Sequence, residues 1–274
     1  MKKIAVIGLG IIGGSICGAL TNAGYQVDGF GRSDESVQYA LQAGYIASRG
    51  EDISKYDVVF IAVPPYATLD YLDNANFKDG ALVADICGVK EVVEKLVYAK
   101  ERNYRYVGLH PMAGKETSGI ASASPNLFQN ANLIITHAEK TQEQDVLEIK
   151  EYAAAMGVGK IVECTAIEHD KKIALTSQLA HIVSNAYVKS PQVNGCDGFT
   201  GGSFQDMTRI AGVDERVWTP LYACNRENIL RELDGLIERL SQYRDALKAN
   251  DDKKLSDVLK EGRLIRETIK RKND

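Results

Sequence analysis

Two groups of residues in this 274-residue chain combine the residue types and the spacing that chemistry requires. The first is the run GLGIIG at residues 8–13, which follows the β-branched segment Lys3–Ile7 and opens a segment with helical spacing. The glycines of such a run make a tight turn, let the backbone approach a diphosphate, and allow a helix to pack closely on a strand. The first amides of the helix then face the phosphates with partial positive charge. The residues predicted to bind a dinucleotide here are Gly8, Gly10, Ile11, Ile12 and Gly13.

The end of the second predicted strand bears on which dinucleotide is bound. A carboxylate at this point commonly holds the ribose 2′-hydroxyl of NAD, but Gly31 stands there in this chain. Arg32 and Ser33 follow, and they supply the positive charge and the hydroxyl that can grip a 2′-phosphate. NADP is therefore the expected cofactor. NAD stays open as the alternative, because Asp28 and Asp34 lie on either side.

The second group is centred on histidines and lies farther along the chain. His110 follows the short apolar segment 106–109, at the end of a predicted strand. The carboxyl ends of strands in a doubly wound sheet line the cofactor crevice, where a histidine can take up a proton at neutral pH. Later, Gln178, His181 and Asn185 follow i, i+3, i+7 spacing and share one face of a mostly apolar helix. A buried polar stripe needs partners, which are either substrate and cofactor or polar groups of a second helix.

The elements that position these groups follow from the hydrophobic pattern. Short apolar segments alternate with helical segments up to about residue 163, which predicts βαβ units and a parallel sheet. Beyond that point three long helical segments follow, at 167–189, 217–247 and 253–270, with no further strand signal. The chain is thus expected to form an α/β Rossmann domain with a mainly parallel, doubly wound sheet over residues 1–165. An all-α C-terminal domain is expected over residues 166–274.

Composition disfavours several other classes of function. Hydrophobic residues make up 45% and charged residues 26% of the chain, as is usual for globular proteins. A net charge of −4 lacks the basic balance that nucleic-acid binding usually needs, and no segment reaches the roughly 18 to 20 apolar residues of a membrane span. The five cysteines form no CxxC pair, which argues against a zinc site or a disulfide framework. No metal, nucleic-acid or membrane partner is expected, and a reducing cytoplasm is the expected compartment.

Several motifs together resemble the prephenate and arogenate dehydrogenases of tyrosine biosynthesis, along nearly the whole chain. The glycine run is generic to Rossmann enzymes, whereas the combination of HPMAGKETSG with GGSFQDMTRIA is quite specific. The segments that carry the resemblance are GLGIIGGS (8–15), AVPP (62–65), DICGVK (85–90), HPMAGKETSG (110–119), EHD (168–170), SQLAH (177–181) and GGSFQDMTRIA (201–211).

The resemblance implies an oxidative decarboxylation of prephenate or arogenate. Hydride passes from the ring carbon that bears the 4-hydroxyl to NAD(P)+, and the ring carboxylate leaves as carbon dioxide. His110 is then the catalytic residue that polarises the hydroxyl, and Val63 and Pro64 of the AVPP motif join the cofactor site. The residues expected to bind the substrate, with Arg209 suited to a bidentate grip on a carboxylate, are His181, Arg209, Gln178 and Ser118. The sequence leaves the choice between prephenate and arogenate open.

One departure from the family concerns the surroundings of the catalytic histidine. Many members have a serine where this chain has Gly88, and that hydroxyl helps to orient the histidine. What orients His110 here is left open, and His169 is interpreted as a structural or capping residue. An ordinary histidine pKa of about 6.5 predicts that activity rises with pH through that value.

Two other functions remain as alternatives. A 3-hydroxyacid dehydrogenase or imine reductase shares this architecture but places a catalytic lysine or other polar group on the interdomain helix. Lys171 and Lys172 at the start of that helix are interpreted as solvated charges. A non-catalytic NADP-sensing regulator is the second alternative, although His110 and Arg209 are intact. The apolar surface of the helical segment 217–247 and the resemblance both predict a homodimer.

Overall fold

An eight-stranded sheet organises the first part of the chain in the computed structural model, which describes residues 2–114 and 117–273. The strands are β1 (Ile4–Ile7), β2 (Val27–Phe30), β3 (Ser48–Arg49), β4 (Val58–Ile61), β5 (Leu82–Asp85), β6 (Arg105–Pro111), β7 (Asn132–Thr136) and β8 (Lys160–Cys164). Their order is β3-β2-β1-β4-β5-β6-β7-β8. The first six run parallel, β7 is antiparallel to β6, and β8 runs parallel to β7. The expectation of a mainly parallel, doubly wound α/β sheet is confirmed.

The central strands form because their residues are apolar and often β-branched. β1 reads IAVI, β4 reads VVFI and β5 reads LVAD, and each is buried throughout. Runs of this kind suit parallel strands that are covered by helices on both faces. Val6 packs with Phe60 in one hydrophobic cluster, while its neighbour Ile7 packs with Val59 in a second. Burial on both faces fixes the register of these strands, and thereby the position of their carboxyl ends.

Helices cover the sheet and make up the rest of the chain. They are α1 (Ile11–Asn22), α2 (Asp34–Gln42), α3 (Pro65–Asn74), α4 (Glu91–Tyr98), α5 (Glu143–Ala155), α6 (Ala166–Ile173), α7 (Ala180–Tyr187), α8 (Gly202–Thr208), α9 (Glu215–Cys224), α10 (Arg226–Lys248) and α11 (Asp252–Asn273). No strand follows β8 in the described chain, so the expected helical C-terminal part is confirmed.

The prediction of one continuous helix over residues 217–247 is wrong. Two helices, α9 and α10, meet at Asn225. This residue leaves helical geometry, with φ −121° and ψ 25°. Its side-chain amide donates to the Asp170 carbonyl at 2.8 Å and to Gln178 Oε1 at 2.6 Å. These two buried bonds to α6 and the segment after it compensate for the interrupted helix.

The predicted helix 167–189 contains a π-helical segment, Ala174–Leu179, between α6 and α7. Such segments are rare and occur frequently at functional sites. This one separates His169 from His181. The simple i, i+3, i+7 face expected from the sequence is therefore altered within this helix.

Three short elements do not appear among the predicted ones. Helix α3 begins at Pro65, whose fixed φ and missing N–H suit the first turn of a helix. The sequence pattern marks Pro64-Pro65 only as the end of a strand. Helix α8 begins in the glycine-rich segment, and β3 is two residues long. Elements of this length carry little periodic signal.

Contacts between residues divide the chain into two compact units, Met1–Arg226 and Glu227–Asp274. The first contains the sheet and the helices through α9. The second contains α11 and nearly all of α10, which are joined by a turn in which Asn250 is left-handed with φ 52°. The predicted boundary at residue 165 lies inside the first unit, at the cap of α6, and stays a prediction. Within residues 2–114 and 117–273, no helix has the length and apolarity needed to cross a membrane.

Candidate active site

The glycine run forms a turn between β1 and α1 that side chains would block. The Gly8 N–H donates to the Phe30 carbonyl at 2.8 Å, and Gly8 has a φ of +96°. A Cβ on Gly8 would collide with the Ala62 carbonyl, and one on Gly13 would collide with the Gly8 carbonyl. At Gly10, no described atom lies within 4 Å of where a Cβ would stand. The turn is therefore closed on its inner side and open at Gly10, as a diphosphate-binding turn requires.

The start of α1 faces this open side. Gly10 is the N-cap and has no side chain to bond the first amides, which belong to Ile11 and Ile12. Val63 lies at the inner side of the turn, with its Cγ1 2.7 Å from the position of a Cβ on Gly8. Pro64 is the exposed N-cap of α3. The predicted cofactor residues of β1, α1 and the β4–α3 connection thus meet at one edge of the sheet.

The residues after β2 have definite partners. Ser33 caps α2 by accepting a bond from the Ser36 N–H at 3.2 Å, and Arg32 beside it is exposed. A Cβ on Gly31 would lie 2.9 Å from Ser36 Oγ, so a carboxylate side chain does not fit at this position without rearrangement.

Both acids that kept NAD open are engaged by other side chains. The Asp28 carboxylate accepts bonds from the Tyr56 hydroxyl at 2.9 Å and the Ser48 hydroxyl at 2.7 Å. Asp34 forms an exposed ion pair with Arg49 at 2.6 Å. These contacts leave Arg32 and Ser33 as the groups presented at the end of β2.

His110 lies near the carboxyl end of β6 and contacts a second histidine. Its Nδ1 is 2.8 Å from Nε2 of His169, whose own Nδ1 is 2.6 Å from Oδ1 of Asp170. His169 and Asp170 are each 1% exposed, whereas His110 is partly exposed. His169 does not cap α6, because Thr165 does, and it contacts the candidate base instead; its interpretation as a structural residue stays a prediction.

The Asp170 carboxylate is anchored at the start of α4. It accepts the Lys90 N–H at 2.8 Å on Oδ1 and the Glu91 N–H at 2.9 Å on Oδ2. These are amides at the N-terminus of a helix, where the macrodipole stabilises a negative charge. The chain of contacts from α4 through Asp170 and His169 ends at His110.

A buried ion pair lies beside this chain of contacts. The Lys90 ammonium contacts the Asp85 carboxylate, and both side chains are fully buried. The Tyr106 hydroxyl donates to Asp85 at 2.6 Å, and burial together with that carboxylate raises the pKa of Tyr106 well above its usual value. The Lys90 charge acts on both histidines.

Burial, His169 and the Lys90 charge hold the pKa of His110 well below its usual value. Burial also lowers the pKa of His169, although the bond to Asp170 opposes that effect. These effects move the pKa of His110 toward lower pH, away from the ordinary value of 6.5 on which the expected titration rested. A neutral imidazole is the form that can accept a proton.

The far side of the His110 ring borders Gly88. A Cβ on Gly88 would lie 3.7 Å from His110 Nε2 and 3.3 Å from Cδ2 of Leu221. Gly88 does not have a positive φ, so its backbone would accept a serine. The Nε2 atom thus faces the side on which a serine hydroxyl would stand.

Helix α9 connects this point to His181. Trp218, one turn before Leu221, stacks on the His181 ring with centroids 4.0 Å apart, and the Ser177 carbonyl lies 2.9 Å from His181 Nδ1. Gln178 is buried, and its Oε1 accepts the bond from Asn225. The structure therefore brings His181 to the same helix that borders His110, while Gln178 is engaged within the protein.

Arg209 and Ser118 are exposed. Arg209 ends α8, on a segment tied to α7 by a bond from the Ser184 hydroxyl to the Met207 carbonyl at 2.7 Å. A second bond joins the Asn185 amide to the Ala211 carbonyl at 3.0 Å. The Ser118 carbonyl accepts a bond from Ser122, and residues 115 and 116 of the same motif lie outside the described residues.

Asp170, Lys90 and Asp85 are not among the residues that the sequence motifs predict to take part in the chemistry, and His169 is predicted to be structural. A signal was available, because DICGVK and EHD are family motifs and the second places a histidine next to a carboxylate. Among the described residues, no group of three or more His, Cys, Asp or Glu side chains is arranged to hold a metal ion. This arrangement can support proton transfer at His110.

Comparisons with known proteins cover nearly the whole chain. The family model described as the nucleotide-binding domain of prephenate dehydrogenase matches residues 16–162, and the model described as its dimerization domain matches residues 165–261. A prephenate dehydrogenase from Lactococcus lactis subsp. cremoris is 30% identical over 286 residues, covering 98% of this chain and 78% of the relative.

Two solved structures are similar over their full length. Prephenate dehydrogenase from A. aeolicus, in complex with hydroxyphenyl propionate and NAD+, has a TM-score of 0.85 at 26% identity, covering 98% of both chains. Synechocystis arogenate dehydrogenase has a TM-score of 0.80 at 25% identity, covering 97% of this chain and 99% of that one.

Proposed function

This chain belongs to the prephenate dehydrogenase family, and on that premise we propose how its residues carry out the oxidative decarboxylation of prephenate or arogenate. The observation that carries the proposal is the position of His110, at the carboxyl end of β6 with Nδ1 held by His169 and Nε2 turned toward Gly88. The glycine turn, which is open at Gly10, fits the diphosphate of a nicotinamide dinucleotide.

His110 acts as the base in this account. Its Nε2 accepts the proton of the substrate 4-hydroxyl while hydride leaves the same ring carbon, and the carbon–oxygen bond gains double-bond character. The nicotinamide takes up that hydride when it is bound. Loss of the ring carboxylate as carbon dioxide returns an electron pair to the ring, and His110 gives the proton back to the phenolic oxygen. The products are the aromatic hydroxyphenyl compound, carbon dioxide and the reduced dinucleotide.

The substrate carries negative charge, and we assign its binding to Arg209 together with His181 and Ser118. Arg209 offers a planar guanidinium that pairs with a carboxylate through two bonds. His181, stacked on Trp218, is held with Nδ1 at the Ser177 carbonyl, which leaves Nε2 for a ligand. Ser118 is also assigned to the substrate, whereas the Gln178 oxygen is engaged by the Asn225 amide.

NADP is the proposed cofactor. Its support is the exposed Arg32 beside Ser33, together with the engagement of Asp28 by Tyr56 and of Asp34 by Arg49. A 2′-phosphate needs positive charge, whereas a free 2′-hydroxyl is usually held by an acid. The Gly8 to Gly13 turn, Val63 and Pro64 serve either dinucleotide.

Steady-state kinetics with four pairings tests this function, each pairing combining prephenate or arogenate with NADP or NAD. We expect turnover of at least one substrate, with carbon dioxide and reduced dinucleotide formed in equal amounts and with NADP preferred. Lys171 and Lys172, on which the rival hydroxyacid dehydrogenase or imine reductase would depend, are exposed. Turnover of a 3-hydroxyacid or a cyclic imine, with all four pairings inactive, would replace our proposal by that rival.

We also propose that the chain divides functionally at residues 1–165 and 166–274 and acts as a homodimer in the cytoplasm. All five cysteines are free thiols, as a reducing compartment favours. The unit formed by residues 227–274 leaves large apolar side chains exposed on both helices, which a second copy would bury. They are Leu230, Ile237, Leu240, Leu247, Leu259, Leu264, Ile265 and Ile269.

Light scattering at micromolar concentration tests the dimer. Wild type should have twice the mass of one chain, and Leu240→Glu should shift it toward the monomer, because Leu240 is 57% exposed on α10. Leu147→Glu is the matched control, since Leu147 is 48% exposed on α5 of the first unit. A monomeric wild type, or equal masses for both variants, would contradict the assignment.

A further inference from the structure

We infer that His169 and Asp170 form a positioning pair that fixes His110 in the tautomer with hydrogen on Nδ1 and a free lone pair on Nε2. The inference deepens the proposed function, because it explains why Nε2 is the atom that meets the substrate hydroxyl. In many related enzymes a serine at position 88 helps to orient the histidine. This chain has a glycine there, and we assign that orienting role to His169 and Asp170.

The assignment follows from counting donors and acceptors along the contacts. Asp170 accepts two backbone N–H bonds, one on each oxygen, from Lys90 and Glu91. An ionised carboxylate is an acceptor only, so the 2.6 Å contact with His169 Nδ1 requires hydrogen on that nitrogen. In a neutral imidazole, Nε2 of His169 is then an acceptor.

The same rule applies one step further along. His110 Nδ1 lies 2.8 Å from His169 Nε2, so His110 must carry its hydrogen on Nδ1. Its Nε2 is left as the acceptor on the Gly88 side, 3.7 Å from where a Cβ on that residue would stand. The opposite tautomer of His110 would set two lone pairs against each other at 2.8 Å.

The count of hydrogens requires the rings of His110 and His169 to be neutral. Burial and the Lys90 charge both favour the neutral form. His169 is 1% exposed, and the ammonium of the fully buried Lys90 acts on both rings. Protonation of either ring would add a second cation beside Lys90. The Asp170 carboxylate accepts two backbone bonds at the N-terminus of α4, where the helix dipole favours a negative charge.

The anchoring of His110 in this chain differs from the anchoring in family members that have a serine at position 88. A hydroxyl at position 88 would stand on the Nε2 side of the ring, where the substrate hydroxyl has to bind. The His169 contact holds the ring from the Nδ1 side instead, and it leaves the Nε2 side clear. The fixed element behind it is the start of α4, which is why Asp170 belongs to the pair.

Nitrogen NMR of the histidine rings tests the tautomer without any turnover. The chain has four histidines, so wild type labelled with ¹⁵N-histidine gives few signals in a long-range ¹H–¹⁵N spectrum. The His110→Asn and His169→Gln variants each lack the signals of one histidine ring. The missing signals identify those of His110 and His169 in the wild-type spectrum. We expect both His110 and His169 to carry hydrogen on Nδ1 at pH 7.5, and a spectrum with hydrogen on Nε2 of His110 would overturn the inference.

Kinetics of matched variants tests the positioning role. His169→Gln keeps an acceptor near the position of Nε2, so kcat should stay within about tenfold and His110 should keep its tautomer. His169→Leu has similar bulk but no acceptor, and kcat should fall by about a hundredfold or more while the KM for the dinucleotide stays unchanged. Equal kcat values for the Leu and Gln variants would contradict the role.

His137→Gln is the control, because it changes a partly exposed histidine that pairs with Glu163 at 3.9 Å. It should leave both the kinetics and the signals of His110 unchanged. If His169→Leu does not fold, the wild-type spectrum and the Gln variant still decide the tautomer. Failure of the proposed function would appear differently, as an inactive wild type that nevertheless shows the expected Nδ1 hydrogens.

Discussion

The region around His110, which we propose handles the proton, and the arginines that we propose bind charged ligands are built in opposite ways. His169, Asp170 and Lys90 are buried, and each has a defined partner that leads back to the backbone of α4 or to Asp85. Arg32 and Arg209 lie at the ends of short elements, and both residues are exposed. The first region holds a single histidine nitrogen in place, and the second carries cations at exposed positions.

The difference teaches what each task requires. A base must meet one hydroxyl proton with its lone pair, so its neighbours have to fix both its orientation and its protonation. A cation that binds a carboxylate or a phosphate has to admit a charged ligand from water and can move to meet it. Substitutions in the first region should therefore change kcat, and those in the second should mainly change KM.

The largest effect is expected for His110→Asn. Asparagine keeps some hydrogen bonding but cannot accept the proton, so kcat should fall by roughly 10²–10⁴ with little change in KM. The measurement is steady-state kinetics with prephenate and with arogenate at saturating dinucleotide. Near-wild-type kcat on both substrates would remove His110 from the mechanism.

Arg209→Ala should mainly change the KM for the substrate. The arginine contact exists in both the ground state and the transition state. The KM for the substrate should therefore rise by roughly ten- to several-hundredfold, while kcat falls less. The KM for the dinucleotide is the internal control and should not move. A large loss of kcat at unchanged KM would erase the distinction between the two regions.

A smaller effect is expected at the dinucleotide end. Arg32→Ala removes a charge-assisted contact worth roughly 1.5–3 kcal/mol, so the KM for NADP should rise by about tenfold to a hundredfold. The same variant measured with NAD is the control, because NAD has no 2′-phosphate. If wild type prefers NAD and Arg32→Ala alters neither KM, the NADP assignment is lost.

Gly88→Ser should give the smallest change. A serine hydroxyl would lie close to His110 Nε2 and donate to it, in competition with the substrate hydroxyl, while Leu221 at 3.3 Å has to move slightly. We expect kcat to fall by less than about tenfold, with His110 still protonated on Nδ1. A gain in kcat would show instead that the His169 contact is an incomplete substitute for the serine.

The parts of the fold that local patterns specify were predictable. β1 and β4 are continuous apolar runs, β5 is apolar up to Asp85, and the glycine turn follows from a motif in which Gly8 and Gly13 leave no room for a side chain. His110 was identified from its motif and its place at a strand end. Each of these signals lies within about ten residues of sequence.

The supporting shell was not predictable in the same way. The contact between His110 and His169 joins residues 59 apart, and that between Asp170 and the start of α4 joins residues about 80 apart. The break at Asn225 likewise arises from bonds to Asp170 and Gln178, which outweigh the helical preference of the segment. Such long-range polar contacts have no periodicity that a single sequence displays.

The pH dependence of kcat/KM tests most directly that a neutral His110 is the base. Burial, His169 and Lys90 lower its pKa, and protonation removes the acceptor, so activity should be lost only when the pH falls well below 6.5. The measurement uses saturating dinucleotide. As a control for acid unfolding, samples returned from low pH to pH 7.5 should regain full activity. We predict that wild type stays level from pH 8 to 6.5 and that His110→Asn lacks the acidic limb. A limb centred at 6.5 in wild type, or the same limb in His110→Asn, would contradict the account.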